Sequence, residues 1–167
     1  MTNADPVYCV LPKRHSTTIF GAIGSTLSEP YFMCAKSTNQ KDFRKFLKNL
    51  KTKVKPELAG RGNQKAIVAT DNASSHKTVS SRKCFEQLFT PLFQPPHSCR
   101  FNSIEIIWGL AKQEVRKQLM ARSTERDITK REFEKLVLTA CEKVAGLHWK
   151  KVVAANHKYI SSMLEPR

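Results

Sequence analysis

Residues 66–76 have the sequence A-I-V-A-T-D-N-A-S-S-H, a short apolar run that ends at Asp71. Such a run is typical of a central strand that is buried on both faces of an α/β sheet. Open α/β sheets bind their ligands at the carboxyl ends of the strands, which is where Asp71 stands. Its carboxylate therefore has two interpretations: it takes a hard cation in a cleft, or it makes a turn with Asn72.

The flanking segments predict a single α/β domain over residues 1–167, without repeats or linkers. An amphipathic helix is expected from the apolar spacing of Phe43, Phe46, Leu47, Leu50 and Val54, with Pro56 and Gly60 ending it. We expect strands at 16–23, 31–36, 66–70 and 87–93 and a short helix at 78–86. Three helices are expected after residue 103, with apolar stripes over 104–119, 133–147 and 149–163, so that a break falls near residue 148.

A second carboxylate, Glu105, follows Asp71 by 34 residues in P-P-H-S-C-R-F-N-S-I-E-I-I-W-G-L-A-K, residues 95–112. Asn102 and Glu105 have the spacing of a capping box, which would give Glu105 a structural role. A glutamate in a first helical turn can also face a cleft. The apolar positions Ile104, Ile107 and Trp108 form the core-facing stripe, so Glu105 points away from the core.

The amino-acid composition limits which binding partners and which cell compartments are expected for this chain. Lys and Arg number 29 and Asp and Glu 14, so the net charge is +15. Such a charge favours nucleic acid as partner. The alternatives are an anionic membrane surface, an acidic protein, or a solvated basic surface without a partner. No 18-residue apolar window predicts a membrane span, and the first residues do not follow a signal-peptide plan. The five scattered cysteines exclude a disulfide framework, so we expect an intracellular, non-secreted protein of nucleus or cytoplasm.

The two carboxylate motifs together resemble those of the DDE transposases of the Tc-mariner superfamily. T-D-N-A-S-S-H (70–76) is similar to that family's second-acid motif, and F-Q-P-P-H-S-C-R-F-N-S-I-E-I-I-W (93–108) to its approach to the third acid. T-T-I-F-G-A-I-G-S (17–25) resembles the strand after the first acid, and residues 149–167 resemble the closing helix. The resemblance implies an RNase H-like fold: a mixed sheet flanked by helices, with a C-terminal helical tail.

The resemblance also implies a chemistry. Asp71 and Glu105 would be catalytic residues and ligands of Mg²⁺ or Mn²⁺, in metal-dependent DNA cleavage and strand transfer during transposition and integration. It implies DNA as partner, with a homodimer or other transposase subunits possible and no membrane.

The first acid of the family has no clear counterpart here. Only Asp5 and Asp42 precede Asp71 among the aspartates, and neither follows a predicted strand. We therefore expect an N-terminally truncated domain whose first central strand is missing or replaced by residues 7–11, V-Y-C-V-L. Two acids predict weak metal binding and an inactive chain. The alternative is a non-enzymatic DNA-binding or complex-forming module on the same fold.

Two groups of cations are candidates for phosphate contacts. Lys41, Arg44, Lys45 and Lys48 share the helix face opposite Phe43 and Leu47, which indicates either a DNA-binding stripe or an ordinary solvated face. The second group follows Glu105 along its helix and comprises Lys112, Arg116 and Lys117. His76 is a further candidate for a phosphate contact, and the alternative is a loop histidine whose hydrogen bonds are satisfied within the protein. These positions predict DNA binding that has little sequence preference and weakens with salt.

Overall fold

The computed structural model describes residues 15–54, 65–95, 98, 101–122 and 128–164. Its strands are β1 (Thr18–Ala22), β2 (Tyr31–Ala35), β3 (Ile67–Thr70) and β4 (Thr90–Phe93). Its helices are α1 (Gln40–Lys51), α2 (Ser74–Lys77), α3 (Val79–Leu88), α4 (Ile104–Ala121) and α5 (Lys130–Leu164). The mixed α/β class and the C-terminal helical tail are confirmed. Within the described ranges, no helix has both the length and the apolar character needed to cross a membrane.

The four strands form two pairs. Strands β1 and β2 are antiparallel, with Phe20 opposite Met33, and β3 runs parallel to β4, with Thr70 opposite Phe93. Parallel neighbours need a crossover connection, which α2 and α3 supply here. The predicted strand 87–93 is shorter than expected, because Gln87 and Leu88 belong to α3.

The prediction that β3 is buried on both faces is wrong for the described residues. Val68 packs on the core formed with α1 and α3, whereas Ile67 on the opposite face is 66% exposed. The neighbouring Leu92 of β4 is 56% exposed on that same side. The helices cover this pair of strands on one face, so its side chains alternate as in a half-buried sheet.

The pair β1–β2 lies between two apolar layers. Phe20 and Met33 pack against α1 and α3, while Ile19 and Phe32 on the other face pack against α4 and α5. Gly21 allows the second layer to approach closely. A Cβ atom there would lie 2.6 Å from the indole of Trp108 and 2.7 Å from the ring of Phe32.

Helix α1 forms where the apolar spacing predicts it and ends earlier. Asn39 caps its first turn by accepting from the Asp42 backbone N–H at 2.8 Å. The apolar face of α1 meets α3 in one core, whose buried members are Leu27, Phe43, Phe46, Leu47, Leu50, Phe85 and Phe89. The helix ends at Lys51, well before Pro56, and Val54 instead forms an isolated bridge with Leu27.

The two last predicted helices are one. Helix α5 runs unbroken over 35 residues, so the prediction of a break near residue 148 is wrong. The stretch contains no proline, and Gly146 weakens a helix by only about 1 kcal/mol relative to alanine. The buried residues Cys141, Ala145, Trp149 and Val152 continue a single face across the expected break, and this face packs against the rest of the domain.

Residues 7–11 and Asp5 lie outside the described part of the chain. The expectation that residues 7–11 replace a missing central strand therefore stays a prediction. Asp42 lies inside it, at the start of α1, where its carboxylate accepts from the Ser37 backbone N–H at 3.3 Å. That contact and its place in the first turn of α1 give Asp42 a local structural role.

Candidate functional site

Asp71 directly follows β3 and carries an exposed carboxylate. Its Oδ1 accepts from the Ala73 backbone N–H at 3.1 Å, which is the turn that sequence reasoning considered. The same oxygen lies 2.8 Å from His76 Nδ1. The side chain is nevertheless 57% exposed. The two interpretations of Asp71 are thus compatible, because the turn leaves the carboxylate accessible to a ligand.

His76 packs inward beneath Asp71. Its side chain is 12% exposed, and its ring stacks on Phe43 with centroids 4.0 Å apart. Thr70 Oγ1 lies 3.2 Å from the same Nδ1 that faces Asp71. Burial lowers the pKa of His76, and the Asp71 charge opposes this effect. The phosphate contact of His76 stays a prediction. Little of the His76 ring is exposed to solvent for such a contact.

Asn72 ties the end of β3 to the end of β4. Its side-chain amide donates to the Gln94 carbonyl, and the Gln94 backbone N–H donates to the Thr70 carbonyl at 2.9 Å. Gln94 is 9% exposed, so these bonds lie in a protected place. Sequence reasoning missed this role of Asn72, although an amide directly after the strand-end acid was visible.

Glu105 lies in the first turn of α4, and its predicted capping box is not formed. The helix begins after Ser103, which makes no side-chain cap bond. The Asn102 side-chain amide donates to Glu105 Oε1 at 3.4 Å instead of capping the backbone. Glu105 is exposed while Ile107 is fully buried, as the stripe predicted. The structural alternative for Glu105 therefore loses its main support.

The C-terminal part of α5 holds the segment before Glu105. Asn156 Nδ2 donates to the Phe101 carbonyl at 3.0 Å and to Ser103 Oγ at 2.6 Å. The rings of Phe101 and Tyr159 lie 6.3 Å apart. These contacts join residues more than 50 positions apart in the chain. Sequence reasoning placed Asn156 on a helix and assigned it no partner.

The two carboxylates suit a divalent ion by the chemistry of their donor atoms. Both present oxygen ligands, which Mg²⁺ prefers, and Mg²⁺ commonly uses one or two carboxylates with water and phosphate oxygens. Among residues 15–54, 65–95, 98, 101–122 and 128–164, no three His, Cys, Asp or Glu side chains form a metal-binding group. The donors fit one partly hydrated ion. The two carboxylates are also predicted to lie within about 10 Å of each other, because two metal ions about 4 Å apart would be shared among the acids, and this stays a prediction.

The basic residues of α1 line one surface. Lys41, Arg44, Lys45 and Lys48 border a shallow groove of about 290 Å³ together with Asn49. Phe43 and Leu47 of the same helix are buried at 3% and 1% exposure. The predicted separation into a basic and an apolar face is therefore present, and DNA binding by the basic face stays a prediction.

Helix α4 carries the second basic group. Lys112, Arg116 and Lys117 are exposed. Lys112 and Arg116 follow Glu105 by 7 and 11 residues, so they share its helix face. Glu114, by contrast, pairs with Lys143 of α5 at 2.7 Å. The hydrogen bond from Lys143 is the main cause that lowers the pKa of Glu114.

Similarity to a family model assigns the sequence to a family. A search of curated proteins finds no match. A solved structure that resembles the chain is "Crystal structure of the catalytic domain of Mos1 mariner transposase", at 20% sequence identity and a TM-score of 0.49. The match covers 85% of this chain and 74% of that one. A sequence model described as "DDE superfamily endonuclease" matches residues 5–127, which include Asp71 and Glu105. Because this match spans well over half of the sequence, the chain belongs to the DDE superfamily endonucleases, the family to which its motifs point.

Proposed function

We propose that this chain is a transposase-derived DDE domain that binds DNA through phosphate contacts. In this proposal Asp71 and Glu105 are ligands retained from metal-dependent DNA cleavage and strand transfer. The observation that carries it is the state of Asp71. The carboxylate lies at a strand end within the matched family region, is held by two hydrogen bonds, and stays 57% exposed. The two bonds fix one carboxylate oxygen, and the exposure leaves the carboxylate open to a ligand.

The chemistry proposed for the site belongs to phosphoryl transfer. A bound Mg²⁺ or Mn²⁺ would neutralise phosphate charge and help to activate an attacking oxygen. Asp71 and Glu105 would hold the ion, and Asn102 would orient Glu105 through its bond to Oε1. Lys112 and Arg116, on the same face as Glu105, would draw the DNA backbone towards the carboxylates.

The proposal includes the partners and the setting of the chain. DNA is the substrate, in transposition or integration, and a second copy or other transposase subunits would complete the assembly. The nucleus is the compartment in which such a chain would meet DNA, and a cytoplasmic location is the alternative. The net charge of +15 supports DNA as partner, because a polyanion attracts such a surface over several ångströms.

The first prediction concerns activity. The chain alone should not nick or join supercoiled DNA with Mg²⁺ or Mn²⁺, because two carboxylates leave a two-ion site without its third acid. The measurement is plasmid nicking by the purified chain, beside Asp71→Ala and Glu105→Ala. Cleavage that both substitutions abolish would show that a third ligand exists, and Asp5 would then be the first residue to replace.

The second candidate function is a DNA-binding or complex-forming module without metal chemistry. It is favoured by one observation, that the described residues contain no group of three metal ligands. DNA affinity measured with and without Mn²⁺ separates the two functions. A gain in affinity with Mn²⁺ that Asp71→Ala removes would support the retained site. If the parent and Asp71→Ala bind DNA with equal affinity, both with and without Mn²⁺, the result would support a DNA-binding module without metal chemistry.

A further inference from the structure

We infer that His76 is a positioning residue that fixes the orientation of the Asp71 carboxylate and leaves its Oδ2 for a ligand. The inference rests on the proposed role of Asp71 as a metal ligand and adds a residue to that site. It also gives His76 a task different from the phosphate contact that its place in the motif suggests.

Two hydrogen-bond donors contact the same carboxylate oxygen of Asp71. His76 Nδ1 lies 2.8 Å from Oδ1, and the Ala73 backbone N–H donates to the same atom at 3.1 Å. Within the described part of the chain, Oδ2 accepts from no such donor. An aspartate that is 57% exposed would otherwise sample several rotamers. Two bonds to Oδ1 select one of them and direct Oδ2 outward.

The imidazole is itself held by the core. Its ring stacks on Phe43 at 4.0 Å with an interplanar angle of 28°. Phe43 is 3% exposed and belongs to the core that joins α1 to α3. The position of the Asp71 carboxylate is thereby linked to the packing of two helices. A partner that fixes a ligand in this way commonly contributes about 10- to 100-fold to metal affinity.

The contact also defines where the ring carries its proton. A carboxylate oxygen at 2.8 Å from Nδ1 repels a lone pair there, so Nδ1 must carry hydrogen. The Thr70 hydroxyl, at 3.2 Å, is a second acceptor for the same N–H. The hydrogen bond at one ring nitrogen sets the tautomer. Neutral His76 is therefore the Nδ1–H form, with Nε2 as an acceptor.

The first test reads this proton directly and needs no metal. Long-range ¹H–¹⁵N NMR of the parent should show the Nδ1–H tautomer of His76, and Asp71→Ala should shift the ring towards Nε2–H. Side-chain couplings of Asp71 should report one rotamer in the parent and averaging in His76→Phe. An Nε2–H ring in the parent, or one Asp71 rotamer in both proteins, would overturn the inference.

The second test uses a matched pair of substitutions at one position. His76→Phe keeps the stack on Phe43 and loses the donor, whereas His76→Asn keeps a donor near Nδ1 and loses the ring. We titrate each with Mn²⁺ and follow paramagnetic broadening of the amide signals of residues 71–73. We expect His76→Phe to weaken Mn²⁺ binding about tenfold or more, and His76→Asn to recover most of it. The control His148→Phe removes an exposed imidazole and should match the parent.

The outcomes separate the inference from the proposed function. If Mn²⁺ binds the parent through Asp71 and His76→Phe binds it equally well, His76 has no positioning role and the function stands. If His76 only filled space in the core, His76→Phe would bind Mn²⁺ more tightly than His76→Asn, because phenylalanine preserves the packing better than asparagine. If Mn²⁺ does not broaden the signals of residues 71–73 in the parent, the metal role of Asp71 fails. The tautomer and rotamer measurements then still decide whether His76 fixes Asp71.

Discussion

At the scale of single residues, the hydroxyl of Ser81 in α3 stands out as a buried polar group. It is fully buried and has no hydrogen-bond partner within the described residues. We expect Ser81→Ala to stabilise the domain by about 1 kcal/mol, because an unsatisfied buried hydroxyl is replaced by a methyl group. The measurement is the midpoint of urea unfolding.

Ser80→Ala is the matched control for Ser81→Ala. Ser80 donates to Gln40 at 2.7 Å, so the same chemical change one residue away removes a hydrogen bond between α3 and α1. That variant should be neutral or slightly less stable than the parent. A loss of stability in Ser81→Ala equal to that of Ser80→Ala would show that the Ser81 hydroxyl is satisfied in solution.

Sequence reasoning found the two carboxylates but not the groups that hold them. Asp71 and Glu105 stand in local motifs, a strand end and a helix start, and both are exposed as expected. The stack of His76 on Phe43 and the bond from Asn156 to Phe101 depend on tertiary packing. The second of these joins residues 55 positions apart, and no local periodicity encodes such a pair.

At the scale of elements, α5 fixes the start of α4 through Asn156. Asn156→Ala removes bonds to the Phe101 carbonyl and to Ser103 Oγ. We expect faster amide hydrogen exchange at residues 101–105 and a stability loss of about 1 to 2 kcal/mol. His157→Ala, an exposed neighbour, is the control. Unchanged exchange at Glu105 in Asn156→Ala would show that α4 begins there without help from α5.

The ion pair between Glu114 and Lys143 links the same two helices and predicts a pH dependence. The pKa of Glu114 is lowered in the folded state, so the pair stabilises the protein above the ordinary value of 4.5. That stability is lost as the pH falls through 4.5 and below. Glu114→Gln should therefore be less stable than the parent at pH 7. This difference in stability should disappear at acidic pH.

The matched control for Glu114→Gln is Glu142→Gln, which makes the same change in charge at an exposed position of α5. Thermal unfolding of both variants across this pH range gives the comparison. A difference for Glu114→Gln that persists at low pH, or that Glu142→Gln reproduces, would assign the effect to something other than the pair with Lys143.

Apolar periodicity predicted elements better than it predicted their limits. It located α1 because Phe43, Phe46, Leu47 and Leu50 repeat at helical spacing. It divided α5 wrongly because it placed Leu147 at the end of one apolar stripe and Trp149 at the start of another, whereas Leu147 is exposed and one buried stripe continues from Ala145 to Trp149. It expected burial of β3 on two faces because an apolar run has the same composition whether one or both faces are covered. Whether one or both faces of β3 are covered depends on which other elements pack against it. The apolar sequence of β3 alone does not contain that information.

At the scale of the whole molecule, the basic candidate faces of α1 and α4 lie away from the buried stripes of the same helices. Each helix of the described chain that carries a basic candidate face also carries a buried stripe, as α1 does with Phe43 and Leu47. Helices α1 and α3 cover one face of β1–β2, and α4 and α5 cover the other. The basic faces of α1 and α4 are therefore presented outward by a packed core, which suits contacts with a phosphate backbone.

DNA affinity as a function of salt is the most direct test of this account. Fluorescence anisotropy with a duplex should give a binding constant that falls linearly with salt on logarithmic axes. Seven cations, four on α1 and three on α4, predict a loss of about a thousandfold or more between about 50 and 200 mM salt.

The decisive comparison uses two variants of equal charge. One variant replaces Lys41, Arg44, Lys45 and Lys48 by glutamine. The slope of log binding constant against log salt concentration should become shallower by about 3 to 4, since each phosphate contact contributes about 0.9. The control replaces the exposed α5 cations Arg131, Lys135, Lys151 and Lys158 by glutamine. The control variant should keep most of the parent's dependence of log affinity on log salt concentration. An affinity that does not change with salt, or equal losses in the two variants, would contradict this expectation.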